Sequence, residues 1–261
     1  EHEWRWRTPP LATVRRGFTQ PQWGGEAAAA RTLLIHAEQG FGDTLQFCRY
    51  APLVAARGLR VVMEVQAPLV RLLRRLPGVA QVIARGDALP PFDLHCPMMS
   101  LPLAMDTTMA NIPAGAPYLA ADPTDAMTWW ARLNALPGQG KRVGLAWAGS
   151  PRSHSRGLAA VDRRRSMAPD RLAPLLALPG LTFFSLQKDG PAVAPEQRLI
   201  DLMTEMRDFA DPAALIAKLD LVVTVDTAWA QRAAGLGKPV WLLDRFDPCW
   251  RGFTGRSHSP W

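Results

Sequence analysis

Three stretches of the chain share one punctuation, and it restricts the fold more than any other feature. "APLVAARGLRVVMEV" (51–65), "RLLRRLPGVAQVIA" (71–84) and "APLLALPGLTFFSL" (173–186) each read as an amphipathic helix, a glycine stop and a β-branched or aromatic run. Gly58, Gly78 and Gly180 fit the left-handed position that follows a helix C-terminus, where the missing Cβ removes the steric cost. The apolar runs behind them are short and do not alternate, as expected of strands covered on both faces. Strands separated by helices imply parallel sheets, which bind ligands outside the carboxyl ends of their strands.

Read at that resolution, the chain opens with a strand at 31–37, a helix at 43–57 with a possible kink at Pro52, a strand at 60–65, a helix at 67–76 and strands at 79–83 and 92–96. Pro-interrupted connections follow to about 122, then a helix at 124–135 that ends in "LPGQGK", a Pro/Gly-rich break taken as the domain boundary. Beyond it, strands at 142–148, 181–187, 220–225 and 239–243 alternate with helices at 168–177, 212–218 and 227–235. The expected fold class is α/β, with two Rossmann-like parallel-sheet domains, 27–137 and 138–261, facing a cleft. Residues 1–26 stand outside this rhythm: Trp4, Trp6 and Trp23 lie among charges and prolines and are expected to pack on the first domain's flank or on a preceding module.

Length and composition set limits. At 261 residues and 48% apolar the chain can bury a sizeable core, and its net charge of +7 suits a phosphate- or carboxylate-bearing partner. Cys48, Cys96 and Cys249 are far apart and have no C-x-x-C spacing, which argues for core thiols in a reducing compartment rather than a zinc site or disulfide framework. No apolar run approaches the ~20 residues of a membrane span, and "EHEWRWRTPP" has no signal-peptide h-region. The expectation is a soluble, cytoplasmic protein. A nucleic-acid binder would need aromatics interleaved on a basic surface, a pattern the sequence lacks.

The chemistry gathers at strand exits. "HAEQGFGDTLQF" (36–47) delivers Gly40, Gly42 and Asp43 from a strand into a helix. Exposed amides and the positive end of the helix dipole there suit an anion such as a pyrophosphate, although a third glycine and a Walker lysine are missing. The bland alternative is a tight turn at Gly42 with Asp43 as a helix cap. In "LDLVVTVDTAWAQRAAGLGKPVWLL" (219–243) a strand runs into Asp226 and Thr227, followed by small residues that allow close helix–sheet packing. Capping is again the alternative.

"SPRSHSRGLAAVDRRRS" (150–166) follows a strand directly and reads as a basic loop at the ligand edge, with Arg152, Arg156, Arg163, Arg164 and Arg165 against the single acid Asp162. Guanidinium forks pair bidentately with phosphate, but a basic run also serves as a solvated face. Gln187 and Lys188 end another strand and either reach the same anion or face water. His36 and His95 end strands and read as satisfied near-core residues. No H-E-x-x-H, His/carboxylate cluster, G-x-S-x-G elbow or Cys/His arrangement is present, so neither a metal site nor covalent nucleophilic catalysis is expected.

Taken in order, "LLIHAEQGFGDTLQFCRYAPLVAARG", "FDLHCPMMSLPLA", "VGLAWAGSP", "FFSLQK" and "LDLVVTVDTAWAQRAAGLGKPVWLLDRFDPCW" resemble the glycosyltransferase domain that follows tetratricopeptide repeats in many bacterial proteins, itself related to the heptosyltransferases of glycosyltransferase family 9. The resemblance covers residues 27–261, and "EWRWRTP" (3–9) is similar to the end of the last repeat, which makes the chain a fragment of a longer protein in this reading. It implies a GT-B architecture with the acceptor held mainly by the first domain and the nucleotide-sugar donor by the second. It also implies inverting, metal-independent transfer to a protein or glycan acceptor, with no cofactor.

By position, Asp43 matches the family's general base, Arg164 or Arg165 falls near its phosphate-binding lysine, and Asp226 and Thr227 match its donor-binding pair. Gln231 stands where the family has a histidine, Trp229 where it has a small aliphatic residue, and Arg232 where it has an apolar one. The tyrosine- and arginine-containing tail and closing helix expected of the family do not appear before Trp261. The rival reading from another class is a non-catalytic module that recognises a nucleotide sugar or a partner protein.

Overall fold

The structure is a computed structural model that describes residues 2–8, 15–138, 140–151, 156–189, 198–245, 249–252 and 255–261. It divides into two compact units, Glu1–Gly115 with Pro260–Trp261, and Ala116–Ser259. In the first, β1 (Thr32–His36), β2 (Arg60–Val65), β3 (Val79–Ala84) and β4 (Leu94–Pro97) form one parallel sheet in the order β3-β2-β1-β4. In the second, β5 (Lys141–Ala146), β6 (Leu181–Ser185), β7 (Leu199–Asp201), β8 (Leu221–Val225) and β9 (Val240–Leu243) are also all parallel, in the order β7-β6-β5-β8-β9. Each sheet reverses its direction of growth beside its own first strand, between β1 and β4 and between β5 and β8.

The unalternating apolar runs of the inner strands are explained by burial on both faces, whereas the edge strands β3 and β9 are partly exposed. In the second unit Val143, Leu145, Phe183 and Val223 point into one cluster with Trp147, Leu172 and Leu176, while Ala146, Phe184 and Val222 point into another. That second cluster contains Ala126, Trp129 and Leu133 of the helix Pro123–Ala135. Packing therefore puts this helix with the second unit and moves the division from the "LPGQGK" break to Gly115/Ala116. In the first unit Leu33, Ile35, Val61 and Met63 are wholly buried, and Leu34, Val62 and Ile83 pack on the other face against Phe18, Leu89 and Phe92.

The orphan tryptophan segment has a place in this arrangement. Residues 20–23 run beside β4, with Gln22 in a parallel bridge to His95; Trp23 N donates to the His95 carbonyl (2.8 Å) and Trp23 itself is buried. The segment packs on the first unit's flank, which is one of the two partners the sequence allowed. Trp4 remains 61% exposed.

Several elements differ from expectation for identifiable reasons. The helix expected at 43–57 is three pieces: α1 (Phe41–Phe47), a 3-10 turn at Cys48–Tyr50 and α2 (Ala51–Ala56). Pro52 has no amide hydrogen for a continuous ladder and sits in the first turn of α2, where none is needed. The same device, a 3-10 turn and then a short helix, replaces the helices expected at 67–76 (α3, Val70–Leu73) and 168–177 (Ala173–Leu176). The strand Leu199–Asp201 was not anticipated, being only three residues long.

The largest correction concerns the basic stretch. It is not a loop over its length, because Arg156–Arg165 form a ten-residue helix, α6 once α4 (Leu101–Ala104) and α5 (Pro123–Ala135) are counted. Arginine is a good helix former, so a run rich in arginine does not preclude a helix. Arg152 and His154 lie outside the described residues.

Glycine conformation gives a direct test of this local logic. Gly58, Gly78 and Gly180 adopt φ of 86°, 74° and 72°, as the helix stops require. Gly140 adopts φ of 82°, and a Cβ there would lie 1.9 Å from the Gly180 carbonyl oxygen. Gly157 lies in α6 with nothing within 4 Å of an added Cβ. Gly140→Ala should therefore destabilise by about 1–3 kcal/mol and Gly157→Ala stabilise by about 0.5–1 kcal/mol in denaturant titrations; equal effects would contradict the assignment.

Candidate functional site

Each unit presents its own strand exits at its own topological switch point, where doubly wound sheets bind ligands. In the first unit β1 leads through Ala37, Glu38 and Gln39 to Gly40, which caps α1 in an extended conformation. Asp43 Oδ2 accepts a hydrogen bond from Gly40 N at 3.0 Å, so the capping alternative weighed for Asp43 is present in the structure. Gly42 lies in the helix's first turn, half-buried. The turn is tied down from β2's side: Gln66 Nε2 donates to the Gln39 carbonyl (2.7 Å) and Thr44 Oγ1 donates to Gln66 Oε1 (2.9 Å). Arg85 donates to the Ala37 carbonyl.

Glu38 was passed over in the sequence. Its carboxylate is buried and accepts from Arg5, with Nε at 2.9 Å and Nη2 at 2.8 Å from Oε1. Arg5 also donates to Ser100 Oγ (2.8 Å) and Glu3 Oε1 (2.6 Å). The other carboxylate oxygen of Glu38 is buried without a partner, as are both polar ends of the Gln46 side chain. Burial, with repulsion from Glu3 and Asp43, pushes the Glu38 pKa up to about 7 against the pull of Arg5. No local pattern marks this residue, because its cation arrives from 33 positions away in the chain.

In the second unit the crevice outside β5 and β8 gathers several of the expected residues. Arg165, the last residue of α6, donates through Nε and Nη2 to Asp162 Oδ1 (3.0 and 2.8 Å) and through Nη1 to the Asp226 carbonyl (3.0 Å). It thereby ties the chain after β5 to the exit of β8. Gly149 makes room for it, since a Cβ there would lie 2.0 Å from Asp162 Oδ1 and 2.4 Å from Arg165 Nη2. Gln187 is committed to the same exit: its Oε1 accepts from Trp147 N (3.0 Å) and Ala148 N (2.9 Å), and its Nε2 donates to the Ala148 carbonyl (3.0 Å).

Thr227 caps the helix Ala228–Gly235, its hydroxyl accepting from Trp229 N (3.3 Å) and lying 3.3 Å from Thr224 Oγ1. The Asp226 carboxylate, half-buried beside it, has no hydrogen-bond partner among the described residues. Gln231 follows one helical turn on, half-buried, while Arg164 and Lys188 are exposed. Arg232 turns into the core instead, 2% exposed between Phe209 (4.2 Å) and Trp229 (4.4 Å), with Nε and Nη1 unpartnered. Burial lowers its pKa. Among the described residues no group of three His, Cys, Asp or Glu side chains is arranged to hold a metal ion, and no helix is long and apolar enough to cross a membrane. All three cysteines are free, Cys48 and Cys96 buried.

Comparison with known proteins gives the fold class first. The chain superposes on a family 9 glycosyl transferase from Veillonella parvula with a TM-score of 0.62 at 9% identity, covering 85% of this chain and 84% of that one. The ADP-heptose lipopolysaccharide heptosyltransferase II of E. coli follows at 0.55 and 15%, covering 81% and 84%. The fold is thus that of family 9 glycosyltransferases, of the GT-B type. In sequence, the chain is 26% identical to Protein FlbA of Caulobacter vibrioides over 287 aligned positions, covering 97% of this chain and 46% of FlbA. No family model matches the chain.

The raised Glu38 pKa sets an expected pH dependence. A carboxyl that holds its proton more tightly when folded contributes stability that is present below about 4.5 and lost as pH rises through about 7. Glu38→Gln should flatten the melting-temperature profile across that window. An unchanged slope in the variant would show that Glu38 is not the titrating group.

Proposed function

We propose that the chain transfers a sugar from a nucleotide-sugar donor to a hydroxyl of a protein or glycan acceptor, with inversion and without a metal. The observation that carries this reading is the second unit's switch-point crevice, where an unpartnered Asp226 carboxylate, the Thr227-capped helix start and Arg165 meet outside β5 and β8. The fold likeness to family 9 enzymes supports it. In this reading the second unit holds the donor and the first the acceptor, with the boundary at Gly115/Ala116 rather than at 137/138, while 1–26 end an upstream repeat module and the protein works in the cytoplasm.

The roles follow from the chemistry. Asp43 takes the acceptor's proton as its oxygen attacks the anomeric carbon; the bond from that carbon to the donor phosphate breaks, and the electron pair leaves on the nucleoside diphosphate. Arg165 is largely spent on Asp162 and the Asp226 carbonyl and acts by fixing the crevice. Arg164 and Lys188, both exposed, meet the departing charge, and Gly40 and Gly42 offer backbone amides to the donor phosphate. Gln187 supports the β5 exit, and Gln231 offers the donor a neutral hydrogen-bonding group where a histidine would offer charge.

A second reading has its own observation. Asp43 already serves its helix by accepting from Gly40 N, and Gln231 can take up neither a proton nor a positive charge, which favours a module that binds the nucleotide sugar without turning it over. Thermal-shift titration of nucleoside diphosphates and their sugars, with and without magnesium, should show one preferred base and no magnesium requirement, with about 2.7 kcal/mol of stabilisation at a hundredfold excess over Kd. Asp43→Asn should retain that shift and lose ~10²–10⁴-fold in product formation. A flat panel would remove both readings, whereas binding with no product from the unaltered chain would leave the module alone.

A further inference from the structure

The first unit contains a cavity of about 250 Å³ that the transfer reading does not use. Its floor is the pair His36 and His95, on β1 and β4, with Nε2 and Nδ1 3.2 Å apart. Phe18 stands edge-on to His36, ring centroids 5.5 Å apart, and Trp6 and Pro97 complete the apolar wall. Gln20 and Gln22 bring carboxamides, and Arg15 and Arg16 bring charge. Among the described residues no carboxylate lines the space.

The charges are unequally committed. Arg16 Nη1 is held by both oxygens of the buried Glu64, at 2.8 and 3.1 Å. Arg15 is exposed and has no ion pair or hydrogen bond among the described residues. Its charge still reaches the floor: burial and then Arg15 lower the His95 pKa. His36 is driven down to about 3 by burial, His95, Arg16, Arg85 and Arg5. Burial and the nearby arginines thus disfavour a charge on either imidazole, and of the two cavity arginines Arg16 is paired with Glu64 whereas Arg15 has no partner among the described residues.

Size narrows the ligand. At about 250 Å³ the space lies just below the ~300–1,000 Å³ of sites for drug-sized molecules and suits a compact anion. Guanidinium forks match phosphate, an indole face suits the apolar face of a small ring, and carboxamides suit hydroxyls. We propose that this cavity binds a phosphate monoester carried on a small hydroxylated ring, a sugar phosphate, with Arg15 and Arg16 on the phosphate, Trp6 on the ring and Gln20 and Gln22 on the hydroxyls. Because the cavity joins Trp6 and the 15–22 segment to the sheet end, an occupant would pin the N-terminal segment to the first unit. The inference stands independently of the transfer reading.

Calorimetric titration with glucose 6-phosphate, in the presence of excess ADP to occupy any donor crevice, tests it. Glucose 6-phosphate should bind, inorganic phosphate more weakly, and glucose not at all. Arg15→Ala, at an exposed position, should weaken binding about tenfold, as the loss of one charged hydrogen bond implies, without changing the melting temperature. Trp6→Ala should weaken glucose 6-phosphate but not phosphate. In the unaltered chain the ligand should raise the His95 pKa, read from its ring-proton resonance, because a bound anion favours imidazolium. Absence of binding, equal affinity for phosphate and glucose 6-phosphate, or an Arg15→Ala variant that binds as tightly as the parent would each overturn the proposal.

Discussion

A parallel strand buried on both faces has no exposed face on which to carry chemistry, so its polar and reactive residues collect at its ends. In this chain that constraint acts in both units. Strands such as Leu34–Ile35 and Val222–Val223 are sealed, and Glu38, Asp43, Trp147–Gly149 and Asp226–Thr227 all lie where the backbone leaves a sheet. Parallel order then fixes which exits are neighbours, because each sheet's growth reverses beside its first strand. Arg165 is the clearest product of this geometry: it is sequence-local to Asp162 and joins the exits of two strands that the fold makes adjacent.

Buried charge marks where the chain departs from simple packing. Arg5 and Glu38 lie 33 positions apart in the chain and are buried together, with Ser100 and Glu3 taking further hydrogen bonds. Desolvation is the cost of such a pair, and the raised Glu38 pKa is its signature. Arg232 represents a different solution, a buried arginine whose Nε and Nη1 are unpartnered and which lies between two aromatic faces, with Asp208 supplying opposite charge nearby. Its place in the core makes Gln231, not Arg232, the residue of that helix near the strand exit.

Much of the framework can be read from the sequence because its signals are local. The stops at Gly58, Gly78 and Gly180 and the apolar strands behind them need only neighbouring residues to be understood, and they fall where expected. The candidate site residues stand out in the sequence for the same reason: glycines, Asp226 and Thr227 follow strands directly. What escaped depends on distance or on competing signals. Glu38 looks like any loop acid until Arg5 arrives, and His36 and His95 become a cavity floor only when β1 and β4 pair. The α6 helix was hidden by its own charge, and Gln187, expected at a phosphate, is consumed by the backbone of Trp147 and Ala148.

The central claim is that the second unit's switch point is where the donor's diphosphate sits. The most direct measurement is backbone amide chemical-shift mapping with the nucleoside diphosphate that binds best. The account predicts the largest shifts at Trp147–Gly149 and Asp226–Trp229, around the Arg165 bridge and the capped helix start. Shifts concentrated in the first unit, or spread over the exposed arginines with none at Asp226–Trp229, would contradict it.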